Sequence, residues 1–325
     1  MILNGGFLRR FLLGISISTD GLETLWTDFA GIETESTKQL RSSSNAFFNG
    51  YNTALEVGLS HILISELQAF NDNLRGFAYE GAGMGLAMID YTSFSKESKL
   101  QKFVDENPNY KILAHIGAGL AIAALNRDIE KSLALMNPMQ RSWVIDGYGF
   151  YNGIFKWKQS VQKQIVPKKV TGYARQAFDR GLGRSLWFYF AGNIDRIVGQ
   201  LQKFPESRHA DMWSGIGLAS TYAGIVSKES LRNLKAAAGS YTSDLSLGSI
   251  QAANIRYLAD NIVDYTNLAC SIFCGMSAED AAKLTFKVME GLNINEQEAL
   301  LVDQPIYETY REGIRTQFIR STVAT

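Results

Sequence analysis

The chain is poor in several residue types, and each shortage removes a class of function. Of 325 residues two are cysteine, three histidine and five proline. Cys270 and Cys274 stand four apart on a helical pattern, neither a Cys-x-x-Cys redox pair nor a zinc spacing, so they read as reduced core residues. A nitrogen-ligand metal site would have to gather His61, His115 and His209, every histidine in the chain, and none is expected. Charge of either sign is not in excess: 32 lysines and arginines face 32 aspartates and glutamates, which gives no reason to expect nucleic acid or an acidic membrane surface as partner.

Long apolar runs are also missing. The best, Ile112 to Leu125 and Trp213 to Ser227, are rich in Gly, Ala and Ser and fall short of the roughly 18–20 apolar residues a membrane span requires. They read as buried helices. Phe7 to Ile17 carries Arg9-Arg10 in the middle of a short apolar stretch, without the order of a secretory signal, so a cytoplasmic location is expected. Neither a Gly-x-Ser-x-Gly elbow nor a Walker loop nor a His-Glu-x-x-His pair occurs, and no cofactor is assigned. Strand signals are confined to Ile165 to Val170 and Leu186 to Phe190, both in helical surroundings.

Glycine, at 29 residues, is plentiful and patterned. Arg75-Gly-Phe-Ala-Tyr-Glu-Gly-Ala-Gly-Met-Gly-Leu-Ala is echoed by His115-Ile-Gly-Ala-Gly, Asp146-Gly-Tyr-Gly, Asp179-Arg-Gly-Leu-Gly and Trp213-Ser-Gly-Ile-Gly, with a degraded copy near Gly248. The reference glycines Gly83, Gly119, Gly149, Gly183 and Gly217 recur at the period of helical-hairpin repeats. Pro108, Pro138, Pro167 and Pro205 each precede a reference glycine by a few turns, and proline favours helix starts, so the glycines are expected deep inside helices. A phosphate-binding loop would need a preceding strand and glycines at a helix tip, which disfavours that reading.

The expected fold class is therefore all-α, built of tetratricopeptide-like or Sel1-like hairpins in an open solenoid or a closed α/α ring. Residues 1–45 are expected as an N-terminal cap with a partly irregular Ser/Thr-rich stretch, 46–290 as the repeat domain, and 291–325 as a C-terminal capping helix. The arginines of that last helix, at 311, 315 and 320, read as a solvated face. Ser227-Lys-Glu-Ser230 reads as the cap of an amphipathic helix closed by Gly239.

Mid-helix glycine costs about 0.8–1 kcal/mol relative to alanine, so Gly81, Gly83 and Gly85 together cost roughly 2–3 kcal/mol that something must offset. Close helix packing is one explanation; a ligand lying where side chains are missing is the other. Three or four positions before the reference glycines stand Tyr79, Glu80, His115, Asp146, Asp179, Arg180 and Trp213, and a repeat array sets equivalent positions side by side. Glu80, Asp146 and Asp179 are the candidate acid/base groups, because carboxylates crowded in an apolar cavity have raised pKa values. An oxygen-ligand divalent-cation site from the same three, or simple pairing with nearby arginines, are the alternatives. Tyr79, His115, Tyr148, Arg184, Trp187 and Trp213 are the candidate substrate-binding residues. The stripe Trp187-Phe-Tyr-Phe190 reads as core, with a groove for an apolar ligand as the other possibility.

The segments Arg75-Gly-Phe-Ala-Tyr-Glu-Gly-Ala-Gly-Met-Gly, Asp146-Gly-Tyr-Gly-Phe-Tyr-Asn-Gly, Gly172-Tyr-Ala-Arg-Gln-Ala-Phe-Asp-Arg-Gly-Leu-Gly-Arg-Ser-Leu-Trp-Phe and Ala210-Asp-Met-Trp-Ser-Gly-Ile-Gly-Leu-Ala resemble the UnbL family. That is a bacterial family of unknown function encoded with enediyne polyketide synthases beside UnbV-like and UnbU-like proteins. The likeness runs from about Phe7 to about Leu284, with Tyr151 standing where many relatives have histidine. It implies an accessory role in polyene or enediyne-type polyketide biosynthesis: holding a long unsaturated chain, or another apolar small molecule, and taking part in its tailoring. The alternative it implies is a non-catalytic scaffold that docks the UnbV-like and UnbU-like partners.

Overall fold

The computed structural model describes residues 35–93, 97–134, 136–292 and 305–323. The stretch Phe7 to Ile17 and most of the expected N-terminal cap lie outside them. Among the described residues the regular structure is entirely helical. The helices are α1 (Glu35–Val57), α2 (His61–Gln68), α3 (Asp72–Thr92), α4 (Lys99–Glu106), α5 (Lys111–Ala124), α6 (Ile129–Ala134), α7 (Pro138–Phe155), α8 (Ala174–Tyr189), α9 (Ile194–Leu201), α10 (His209–Ala223), α11 (Lys228–Ala238), α12 (Thr242–Leu258), α13 (Asp264–Phe273), α14 (Ala278–Gly291) and α15 (Ile306–Val323). The weak strand signals are accounted for: Leu186–Tyr189 lies in α8, and Val170 is buried in the turns before it.

Two kinds of helix share the chain. α3, α5, α7, α8, α10 and α12 are buried nearly all round, and each packs on the next, with α1 ahead of the row and α14 behind it. Shorter amphipathic helices cover them, opening on side-chain caps that accept a backbone N–H: Ser60 for α2, Ser98 for α4, Asn193 for α9 and Ser227 for α11. As expected, Ser227 caps α11 and Gly239, at φ +52°, ends it. Inner helices α5, α8 and α12 finish in one shared turn, with Asn126, Ala191 and Asp260 at positive φ and the following N–H bonded five residues back.

The glycines explain the row. Successive residues of a helix differ by about 100°, so the two glycines of Gly-x-Gly point about 200° apart and face opposite neighbours. In α3 Gly81 meets Phe47 and Tyr51 of α1, while Gly83 meets Ala114 of α5. In α8 Gly181 meets Asp146 and Phe150 behind it, and Gly183 meets Met212 ahead. Gly117/Gly119, Gly147/Gly149 and Gly215/Gly217 do the same, and Gly248 closes onto Ser214 and Leu218. At every one of these positions an added Cβ would come within 3.0 Å of neighbouring backbone atoms, so the glycines permit backbone-to-backbone packing. Backbone contact, not a ligand, fills the space they leave. The degraded copy at Gly248 is a full member of the row.

The row bends until its parts meet across the middle. At the C-terminal end of α12, Arg256 donates to the carbonyls of Asp72 and Asn73 at the start of α3 and to Tyr222 O of α10. Gln39 of α1 reaches Ala223 O. The first helix and the last depart from the sequence expectation. α1 is helical from Glu35, across the expected boundary at 45/46, because Thr37, Leu40 and Ser43 fall on its buried face. α15 packs against α7, α12 and α14, and its Arg311 is buried rather than solvated. Of the three arginines only Arg320 is on an exposed face. Cys270 and Cys274 are free and buried on and beside α13.

Candidate active site

With the two glycines committed to the helices on either side, the residue before the first and the residue after the second share a third direction, toward the middle of the bend. Those positions hold Glu80, Ile116, Asp146, Arg180 and Ser214, and Met84, Leu120, Phe150, Arg184 and Leu218. Beside them opens a pocket whose wall takes in Glu80, Leu120, Phe150 and Arg184. Phe77 and Phe188 close one side, and Phe47, Phe48 and Phe155 with Ser43 and Ser44 complete the rim. Phe77 and Phe188 meet edge-on with centroids 6.5 Å apart, and Phe150 meets Phe188 edge-on at 5.4 Å. Six aromatic rings thus surround one carboxyl and one guanidinium.

Arg184 is the pivot of the polar part. Its Nη1 pairs closely with Asp146 Oδ1, its Nη2 lies 3.5 Å from Glu80 Oε1, and its plane covers the Phe150 ring at 4.8 Å. The buried Nε has no acceptor. One guanidinium serves two carboxyls, and the closer bond goes to Asp146. Burial pushes Glu80 up; Arg184 pulls it back only in part and Asp146 pushes it up again, leaving its pKa at about 7. Asp146 is also raised by burial, against the attraction of Arg184 and Arg180.

The polar interior continues along the same face into a second cluster that sequence reasoning missed. Arg180 donates to both oxygens of Glu308, 2.8 and 3.4 Å away, and to Asp211 at 3.2 Å. Arg311 bonds Gln251 at 3.0 Å and lies 3.4 Å from Glu308. Burial raises the Glu308 pKa, but Arg180 and Arg311 outweigh it and hold the carboxyl below its ordinary range. Asp211 and Glu308 are matched by Arg180 and Arg311, so Glu80 is the carboxyl left over and the natural seat of a proton near neutrality. The signal for Arg311 was in the sequence: Tyr307, Arg311, Ile314 and Phe318 recur at one helix face, and all are buried.

Glu80 and Asp146 are thus brought together as the repeat suggested, with Arg184, a substrate-binding candidate and a candidate partner of the carboxylates, paired to both. The other candidates are not. Asp179 is one position earlier than Arg180 and points outward, where Arg208 grips it through Nε at 2.9 Å and through Nη2. Tyr79 likewise turns to the outer layer, stacked on Tyr110 with centroids 3.7 Å apart, and burial raises its pKa to about 12. His115 is buried with Nδ1 2.6 Å from Lys111 O, and burial lowers its pKa. Tyr148, Trp187 and Trp213 are core residues outside the pocket lining. The three carboxylates therefore form no common cation site, and no group of metal-binding side chains occurs among the described residues.

A model of the family described as protein of unknown function (DUF1702) matches residues 5–318. The chain belongs to that family. No curated protein and no solved structure matches it. In this member of the family the match spans all of the inner helices and most of α15, so the pocket and the second charged cluster both lie within the family's own extent.

Proposed function

We propose that the protein binds an extended unsaturated apolar chain in the phenylalanine-lined pocket and moves a proton on it with Glu80. The observation that carries this reading is one titratable carboxyl, with a pKa of about 7, in the wall of a pocket lined mainly by phenylalanines. A group poised there can give and take a proton at neutral pH, the requirement for general acid/base work. Asp146 and Arg184 are positioning groups for it, with Asp146 fixing the guanidinium. Asp179 has no part in this reading.

The UnbL resemblance supplies the substrate class, a polyene or enediyne-type polyketide, with UnbV-like and UnbU-like proteins as partners; the sequence of Phe7 to Ile17, which lacks the order of a secretory signal, supplies the cytoplasm as location. Among the described residues no helix is long and apolar enough to cross a membrane. The hairpin-repeat architecture fits the same reading, supported by the reciprocal glycine crossings and the shared terminal turns of α5, α8 and α12.

Incubation with a conjugated polyene ketone in deuterium oxide, followed by mass spectrometry, tests the proton step. The wild type is expected to introduce deuterium into the chain, and Glu80→Gln to lose that exchange while staying folded. Undiminished exchange in Glu80→Gln, or none in the wild type, ends the acid/base reading and transfers the case to the scaffold that only docks partners.

A further inference from the structure

Arg184, the cation in the pocket wall, has a donor that nothing meets. A guanidinium presents five N–H donors, and burial without an acceptor is costly for each. Nη1 is used by Asp146 and Nη2 approaches Glu80, yet Nε, on a side chain that lines the cavity, is buried without a partner. No serine on the rim bonds it; Ser185, on the same helix, donates to Leu182 O instead. Apart from Ser43 and Ser44 on the rim, the pocket is thus apolar except where Arg184, with a donor left over, stands next to the Glu80 carboxyl.

Accepting the binding reading above, we propose that the ligand carries a neutral carbonyl oxygen at the end of its apolar body, as a ketone, ester or thioester does, and that this oxygen accepts from Arg184 while the body lies among Phe77, Phe150 and Phe188. Charge decides between a neutral carbonyl and a free carboxylate. Arg184 already faces Asp146 and Glu80, and a third carboxyl on one buried guanidinium would put like charges together with no cation to spare. A neutral oxygen satisfies the donor without that cost. Aromatic walls fit a flat conjugated body, since ring edges and faces both pack against one.

Three matched fluorescent probes test this: a straight conjugated octadecatetraene hydrocarbon, the corresponding tetraenoic acid methyl ester, and the free acid. With the full chain at pH 8, the ester should bind at least about tenfold more tightly than the hydrocarbon, the increment expected of one hydrogen bond to a charged donor. The free acid should bind more weakly than the ester at pH 8 and gain on it as the pH is lowered. Arg184→Lys keeps the charge but lacks Nε; in it the ester should bind no more tightly than the hydrocarbon. Equal binding of ester and hydrocarbon by the wild type overturns the proposal and leaves the apolar pocket standing. Tighter binding of the acid than of the ester at pH 8 overturns it in favour of a carboxylate ligand. If none of the three binds, both the carbonyl proposal and the underlying chain-binding reading fall.

Discussion

Replacing Gly215 by alanine should destabilise the protein, whereas the same change at Gly199 should stabilise it. Both glycines are in helices, so propensity alone favours alanine at each, by about 0.5–1 kcal/mol. The surroundings reverse the sign at one of them. A Cβ on Gly215 would stand 2.8 Å from Arg184 N and nearer still to Arg180 O, while one on Gly199 would meet nothing within 4 Å. Ordinary contact begins near 3.4 Å, so α8 and α10 must part by about 0.6 Å at Arg184 N and by more than that at Arg180 O, their tightest point. Backbone on both sides cannot turn aside as a side chain can, and overpacking of this kind costs typically about 1–3 kcal/mol, more where the contact is rigid. Parting the two helices also loosens Arg184, which stands on the same seam. Urea unfolding followed by circular dichroism reads both variants against the wild type. The Gly215→Ala midpoint should fall, the Gly199→Ala midpoint should rise slightly, and a Gly215→Ala protein as stable as the wild type would refute the close-packing account of the glycine motif.

Three further outcomes follow from the charged interior. Glu80 binds its proton more tightly folded than unfolded, so its contribution to stability is complete below pH 4.5 and is lost as the pH rises through about 7. With the pKa raised from 4.5 to about 7, that loss is on the order of 3 kcal/mol, and Glu80→Gln should remove it; unfolding at pH 5 and pH 8 that changes equally in variant and wild type would contradict it. Arg311→Met leaves Glu308 and Asp211 short of a buried cation and should cost about 3–5 kcal/mol in urea unfolding, while Arg320→Ala, on an exposed face, should shift stability by no more than about 0.5 kcal/mol. Asp179→Asn breaks the pair with Arg208 and should lower the unfolding midpoint, yet leave deuterium exchange into a bound polyene ketone at the wild-type rate.

Much of the helix plan was legible because local rules suffice for it. Pro138 at the first turn of α7, Ser227 and Gly239 at the ends of α11, and the small-residue run of α5 each mark an element by backbone chemistry that neighbours do not alter. Pro167 was the exception: its carbonyl closes a turn with Val170 instead of starting a helix.

The sequence by itself determined that the chain is helical, that its glycines lie inside helices at a repeat spacing, and that something had to offset their cost. It also placed Glu80, Asp146 and Arg180 at equivalent positions. What only the tertiary structure decided was direction. Adjacent positions on a helix diverge by about 100°, so Glu80, Asp146 and Arg180 face the middle of the bend while Tyr79 and Asp179 face the outer layer, a distinction invisible until the two glycines of each motif are assigned to their neighbours. Long-range convergence was likewise beyond reach: Phe47, Phe77, Phe155 and Phe188 become one pocket, and Glu308 and Arg311 of α15 meet Arg180 and Asp211, only because a bent row brings distant stretches together. Periodicity fixes which side of a helix is apolar; the curvature of the whole assembly fixes what that side touches.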